Sequence, residues 1–242
     1  MDRYQLLASA FVDLADTLTA DYDVAELSQQ LIDYAVSLLP VDAAGIVLAD
    51  GGCPRVLASS SEEARMLELL QLHADAGPCL HVYRTGEPML VDDLHTGPER
   101  WPAFAIRADE HGFRSVLALP MRLRDERIGT LNLFSRSPGP MSAGDVAIAQ
   151  ALADIATIGI LHQREISHSV ELMAQLQTAL KTRLVIEQAK GVLAERGNVD
   201  MDEAFSSLRA YARNTRRALS DLARAVVHGG DEADAVLRSR RT

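Results

Sequence analysis

Leu180-Lys-Thr-Arg-Leu-Val-Ile-Glu-Gln-Ala-Lys-Gly-Val-Leu193, followed by Glu203-Ala-Phe-Ser-Ser-Leu-Arg209, is the run that decides how this chain is organised. Around it, residues 176–227 read as three short helical patterns in succession. In the first, Arg183, Glu187 and Lys190 share a face at i, i+4 and i+7, and Ile186, Ala189 and Leu193 share another. Gly191 lacks a β-carbon, so a second helix or a sugar–phosphate backbone can approach closely there. Gly197 fits a C-cap, Asp200 an N-cap for the second helix, and Ser220 an N-cap for the third. Helices this short need one another, so a three-helix bundle is expected. In the second pattern Arg209, Arg213 and Arg216 fall on one face, with Arg217 beside them, away from Ala204, Leu208, Tyr211 and Thr215. No acid occurs between Phe205 and Leu219, which favours nucleic-acid contact over a solvated, ion-paired face. Guanidinium groups suit phosphates and bases. Lys190 reads equally well as a capping contact or a phosphate contact.

A net charge of −10 argues against nucleic acid until the chain is divided. Residues 1–170 carry 12 basic and 24 acidic side chains, whereas 171–242 carry 12 and 10. The acidity therefore belongs to the front part, and the two parts have separate jobs. With 48% apolar residues in 242, two cores of ordinary size are expected. No Gly-Lys-Ser/Thr triplet occurs and no lysine precedes Lys181, which excludes a Walker phosphate loop and a protein-kinase strand lysine. Two cysteines, Cys53 and Cys79, make neither a disulfide framework nor a metal cluster. His73, His81, His95 and His111 lack ligand spacing, so no metal is expected. The opening residues show no secretory signal, and no unbroken run of 18 apolar residues occurs. The expectation is a soluble cytoplasmic protein without a membrane partner.

Taken in order, residues 6–18 and 24–39 are amphipathic helices, the second capped by Asp23. Residues 44–49 and 56–59 form a hairpin about Asp50-Gly51-Gly52. Ser60 and Glu63 fit a capping box opening a helix to about Leu72, which Gly77-Pro78 ends. Residues 89–91 are a short strand, 92–102 a loop and 104–110 a short helix. Residues 115–120 and 128–134 form a second hairpin through Arg124-Asp-Glu-Arg127, and Ser142 caps a long helix. This is an α+β module, an antiparallel sheet flanked by helices.

Gly77-Pro-Cys79, Arg84-Thr-Gly-Glu-Pro-Met-Leu-Val-Asp-Asp-Leu94, Arg100-Trp-Pro102, His111-Gly-Phe-Arg-Ser-Val-Leu-Ala-Leu-Pro120 and Ile128-Gly-Thr-Leu-Asn-Leu-Phe134 together resemble a GAF domain. The resemblance implies a sheet with a pocket on one face for a small molecule or other signal. Cys79, Asp93, Trp101 and Phe104 are the pocket candidates, with core packing the competing role for Cys79, Trp101 and Phe104. The Asn-Lys pair of cyclic-nucleotide GAF domains is missing, which argues against that ligand. No cofactor is expected.

The helix opened by Ser142 is expected to continue to about residue 184. Positions 152, 156, 159, 163, 166, 170, 173, 177, 180 and 184 alternate in steps of four and three and read Leu, Ala, Gly, Gln, Ile, Val, Met, Gln, Leu, Leu. That is a heptad seam, weakened by Gln163 and Gln177, and it predicts a parallel homodimeric coiled coil.

The basic end resembles an ANTAR domain, an RNA-binding antitermination module. The matching residues are Ala179-Leu180, Arg183, Ile186-Glu187-Gln188-Ala189-Lys190-Gly191, Glu203-Ala204-Phe205, Leu208-Arg209 and Ala223. The expected organisation is a sensor domain over 1–160, a connecting helix over 145–184, an RNA-binding three-helix domain over 176–230 and a flexible tail over 231–242. The expected RNA-binding residues are Arg183, Lys190, Gly191, Arg209, Arg213, Arg216 and Arg217. Acids at the start of the second helix, Asp200, Asp202 and Glu203, disfavour a DNA-groove helix, whereas arginines suit unpaired bases in RNA hairpin loops. The chain thus reads as a signal-responsive antiterminator and not an enzyme, with no catalytic residue. The alternatives are an adaptor that binds a protein through its last helices, and a methionine sulfoxide reductase of GAF type using Cys53 and Cys79.

Overall fold

Asp23 opens the second helix as its sequence demands: its carboxylate accepts from the backbone N–H of Ala25, and the chain turns from extended to helical there. The computed structural model describes residues 2–16, 23–50, 52–96, 100–229 and 231–239. Residues 17–18 of the first expected helix, Gly51 of the first turn, 97–99 of the loop and 240–242 of the tail lie outside them. The chain divides into two units, residues 1–166 and 167–242.

The first unit contains α1 (Arg3–Asp16), α2 (Val24–Leu38), β1 (Ala43–Asp50), β2 (Cys53–Ser59), α3 (Glu62–Ala74), α4 (Pro78–Thr85), β3 (Met89–Val91), α5 (Pro102–Glu110), β4 (Ser115–Leu123) and β5 (Glu126–Ser135). The strands form one antiparallel sheet in the order β2-β1-β5-β4-β3. Both faces of β4 and β5 are buried, which explains their near-continuous apolar sequences. One core joins Leu14, Leu27, Leu31, Ile46, Leu119 and Leu131 to the first turns of α6 (Ala143–Gly197). A second gathers Leu67, Phe104, Phe113 and Phe134.

Gly129 is fixed by the approach of strands: a β-carbon there would lie 2.1 Å from the carbonyl oxygen of Val47. Two expectations fail at α3. Its N-cap is Ser61, whose hydroxyl accepts from Ala64 N–H, while the Ser60 hydroxyl accepts from Ala44 N–H in the sheet. Gly77-Pro78 does not end α3; Asp75 does, in the left-handed conformation, and Pro78 begins the unexpected helix α4. A proline is comfortable at the first helical position because the N–H it lacks would have no partner.

Ser142 caps α6 by accepting from Asp145 N–H, and the helix then runs unbroken for 55 residues. Its apolar first part lies on the sheet, burying Ala149, Leu152, Ala153, Ala156 and Ile160. By length and composition alone α6 is also apolar enough to cross a membrane.

The second unit packs the end of α6 against α7 (Met201–Asn214), α8 (Leu219–Val227) and α9 (Glu232–Ser239), around Ala189, Leu193, Ala204, Leu208, Leu222, Val226 and Val236. Asp200 caps α7 by accepting from Glu203 N–H. The left-handed residue after α6 is Asn198, not Gly197; Gly197 is small because Leu237 of α9 comes within 2.6 Å of where a β-carbon would sit. Ser220 is not a cap: Ala218 holds that place, without a side-chain hydrogen bond, and Ser220 lies inside α8. The tail expected to be flexible carries α9, whose Ala233 and Val236 are fully buried. Its Glu232 and Asp234 at the start and Arg238 at the end complement the helix dipole.

Candidate nucleic-acid interface and sensor pocket

Seven residues were expected to meet RNA, and the structure separates them. Arg183 on α6 and Arg209 and Arg213 on α7 are exposed. Arg216 does not extend the α7 face, because the helix stops at Asn214. Arg217 N–H donates to Ala212 O at 3.0 Å and Arg216 N–H to Arg213 O at 3.2 Å, closing a Schellman turn with Arg216 at φ 55°. Thr215, expected on the packing face, is exposed at this turn and caps it by donating its hydroxyl to Tyr211 O. No ion pair forms on Arg183, Arg213 or Arg216 among the described residues.

Arg217 differs. Its guanidinium donates to Glu232 on α9 at 2.8 Å, which raises its pKa still further. Lys190 also has a partner, Glu187, at 2.8 and 3.1 Å, and its side chain is only 15% exposed. Its ammonium lies 5.4 Å from the ring centroid of Phe205, and the Arg209 guanidinium lies 5.8 Å from the same centroid. A β-carbon at Gly191 would meet nothing within 4 Å, so no second helix of the described chain needs that space. A shallow groove of about 560 Å³ beside α7 and α9 includes Asp200, Asp202 and Glu203 in its lining and is unsuited to phosphate.

In the first unit the four expected pocket residues do not converge. Phe104 is core, 3% exposed among Phe113, Phe134 and Leu67. Trp101 packs at the edge of that cluster, its ring centroid 5.8 Å from that of His81. Asp93 is occupied: His95 N–H and a bidentate Arg114 at 3.0 Å hold its carboxyl below the usual range. Cys79 lies apart, with Val47 and Leu80. A cleft of about 300 Å³ opens elsewhere, between α3 and α5, where Met66, Leu70, His73, Arg107 and His111 are among its lining.

Around Cys79 there is instead a buried polar cluster that sequence reasoning missed. Glu68 is fully buried, and burial raises its carboxyl to about 8 against the hydrogen bonds that lower it, which favours the protonated form near neutral pH. Asn132 Nδ2 donates to it at 2.8 Å and Gln71 Nε2 at 3.1 Å. Cys79 N–H donates to Gln71 Oε1 at 2.9 Å. Burial, and then Glu68, push the Cys79 thiol well above its usual range. Asn132 Oδ1 is buried without a hydrogen-bond partner among the described residues. The signal was present in the spacing, since Ala64, Leu67, Glu68 and Gln71 form the buried face of α3. Among the described residues no three His, Cys, Asp or Glu side chains gather as a metal site.

The model of the GAF domain matches residues 21–160, more than half of the chain, and that of the ANTAR domain matches 174–227. The chain belongs to the GAF family and carries an ANTAR domain behind it. No curated protein matches the chain. Among solved structures, the GAF domain from a phosphoenolpyruvate-protein phosphotransferase of Coxiella burnetii is 17% identical over 68% of this chain and 98% of its own, with a TM-score of 0.52. Free methionine-R-sulfoxide reductase of Neisseria meningitidis, in complex with its substrate, is 14% identical over 69% and 95%, with a TM-score of 0.51. The GAF domain/HD domain protein of Geobacter sulfurreducens is 22% identical over 61% and 97%, with a TM-score of 0.50. At these identities the likeness shows the fold alone. A GAF sensor followed by an ANTAR domain is, at family level, a signal-sensing antitermination regulator with RNA as its partner.

Proposed function

We propose that this GAF–ANTAR protein works as a cytoplasmic homodimer whose two ANTAR domains bind paired RNA hairpin loops and so prevent a terminator hairpin from forming. The observation that carries the reading is the set of exposed guanidiniums at Arg183, Arg213 and Arg216, which have no ion-pair partner among the described residues. Arg209 joins them beside Phe205. Such groups neutralise phosphates and stack on unpaired bases.

Pairing of chains is supported by the later half of the heptad seam. Leu152, Ala156 and Gly159 are buried within the GAF unit, but Ile166, Val170, Met173, Leu180 and Leu184 are 41–68% exposed. Their four-three spacing fits a second copy of the same helix. Two modest RNA sites on one dimer gain roughly 10²–10⁴ in avidity when both loops are reached. A small molecule or other signal at the GAF domain acts by changing the packing of α6. The protein is read as a non-enzyme needing no cofactor: against reductase chemistry stands the raised pKa of Cys79, since the attacking species would be a thiolate.

The test is a gel-shift titration with a two-hairpin leader RNA. Arg213→Ala with Arg216→Ala weakens binding at least tenfold, flattens the salt dependence and leaves the fold intact. Unchanged affinity would refute the assignment.

A further inference from the structure

Phe205 is an apolar side chain in an unexpected place. It sits on α7 between the buried Ala204 and the exposed Ser206, is itself partly exposed, and stands outside the apolar cluster that closes the bundle. Two cations lie over its ring, Lys190 from α6 and Arg209 one turn along α7. One residue after Lys190, the helix surface at Gly191 is bare and nothing within 4 Å would touch an added β-carbon. A glycine inside a helix lowers helix stability relative to alanine, and the described chain gains no close contact in return.

We infer that Phe205, Lys190, Arg209 and Gly191 form a subsite for one unpaired nucleobase and its adjoining phosphate. The inference rests on the RNA reading above and deepens it. An aromatic face accepts any base by stacking, and a base arriving at this ring displaces the two cations over it toward the phosphate that accompanies the base. Arg209 supplies a planar donor beside the stacked base, and Lys190 supplies a point charge. The Lys190 side chain is 15% exposed but that of its partner Glu187 is 49% exposed, so a phosphate reaches the ammonium from the Glu187 side and takes that carboxylate's place. The bare surface at Gly191 admits the sugar–phosphate chain where a methyl group would hold it off.

The subsite differs from the free guanidiniums in what it contributes. Arg213 and Arg216 add charge and therefore salt dependence, whereas a stacked base adds affinity that salt scarcely changes. The experiment uses the full chain and RNA hairpins selected for wild-type binding from a randomised-loop pool, with affinity followed against salt concentration. Phe205→Leu keeps an apolar side chain but removes the ring; it weakens binding about tenfold or more with the salt slope unchanged. Phe205→Trp retains binding within a few fold. Gly191→Ala weakens binding while the melting temperature stays level or rises. An abasic position in the loop weakens wild type but adds little to Phe205→Leu.

If the pool yields no binder, the RNA reading itself falls. If wild type binds and both Phe205→Leu and Gly191→Ala bind equally well, the subsite is overturned while the RNA reading survives. Should Phe205→Leu lose its fold, Gly191→Ala and the abasic RNA decide alone, and wild-type affinity in both overturns the subsite.

Discussion

Glu68 and Arg213 are both ionisable residues on amphipathic helices, and the two units treat them in opposite ways. Glu68 sits on the buried face of α3 against the sheet, where low polarity keeps its proton on. Arg213 sits on the exposed face of a helix whose other face is closed by Ala204, Leu208 and Ala212. In the GAF unit a polar group is enclosed and met by amides and a thiol; in the ANTAR unit cations are left facing outward. A helix's neighbour, far more than its own composition, decides whether an ionisable residue serves structure or contact.

The contrast breaks most sharply at Gly129. Gly129→Ala drives a methyl group into the Val47 carbonyl, and backbone cannot yield as a side chain would. The expected outcome in a thermal melt is loss of the cooperative GAF transition, a destabilisation of more than ~3 kcal/mol. Met173→Asp with Leu180→Asp comes next: light scattering should fall from a dimer to a monomer mass, with the GAF transition unmoved, since both positions are exposed within one chain.

Glu68→Gln tests the enclosed carboxyl through pH. The folded state holds this proton more tightly than the unfolded chain, so the stabilisation is complete below about pH 4.5, the ordinary carboxyl value. It is then lost by about 1 kcal/mol per pH unit until the folded value near 8 is passed. The glutamine variant should flatten that decline in denaturant titrations between pH 5 and 8. A parallel decline in variant and wild type would show that Glu68 is not its source. The smallest effect belongs to Arg217→Ala. Its pair with Glu232 is more than a third exposed and screened by water, so chemical denaturation should register little or no loss, and RNA affinity should change less than with Arg213→Ala.

Much of this was readable in the sequence. The strands β4 and β5, the Asp23 and Asp200 caps and the continuous helix through residue 184 follow from apolar periodicity and local capping chemistry. Failures came where position or distance overrides composition. Gly77-Pro78 reads as a stop, yet the same proline starts α4. Helical periodicity was carried past Asn214 to Arg216, where the backbone has already left the helix. Counting nearby acids left Arg217 unpartnered, but Glu232 is 15 residues away and arrives only because α9 folds back. The four pocket candidates were inherited from family resemblance, and packing disperses them between the aromatic core, an ion pair and the Glu68 cluster.

Arg216 occupies a backbone well that costs an ordinary L-residue roughly 1–2 kcal/mol and would cost glycine almost nothing. Selection of this protein for heat resistance alone would therefore remove Arg216 early and, in doing so, discard one of its positive charges. If Arg216 serves the RNA contact proposed above, a laboratory lineage hardened in that way would gain endurance and weaken its hold on RNA in the same substitution.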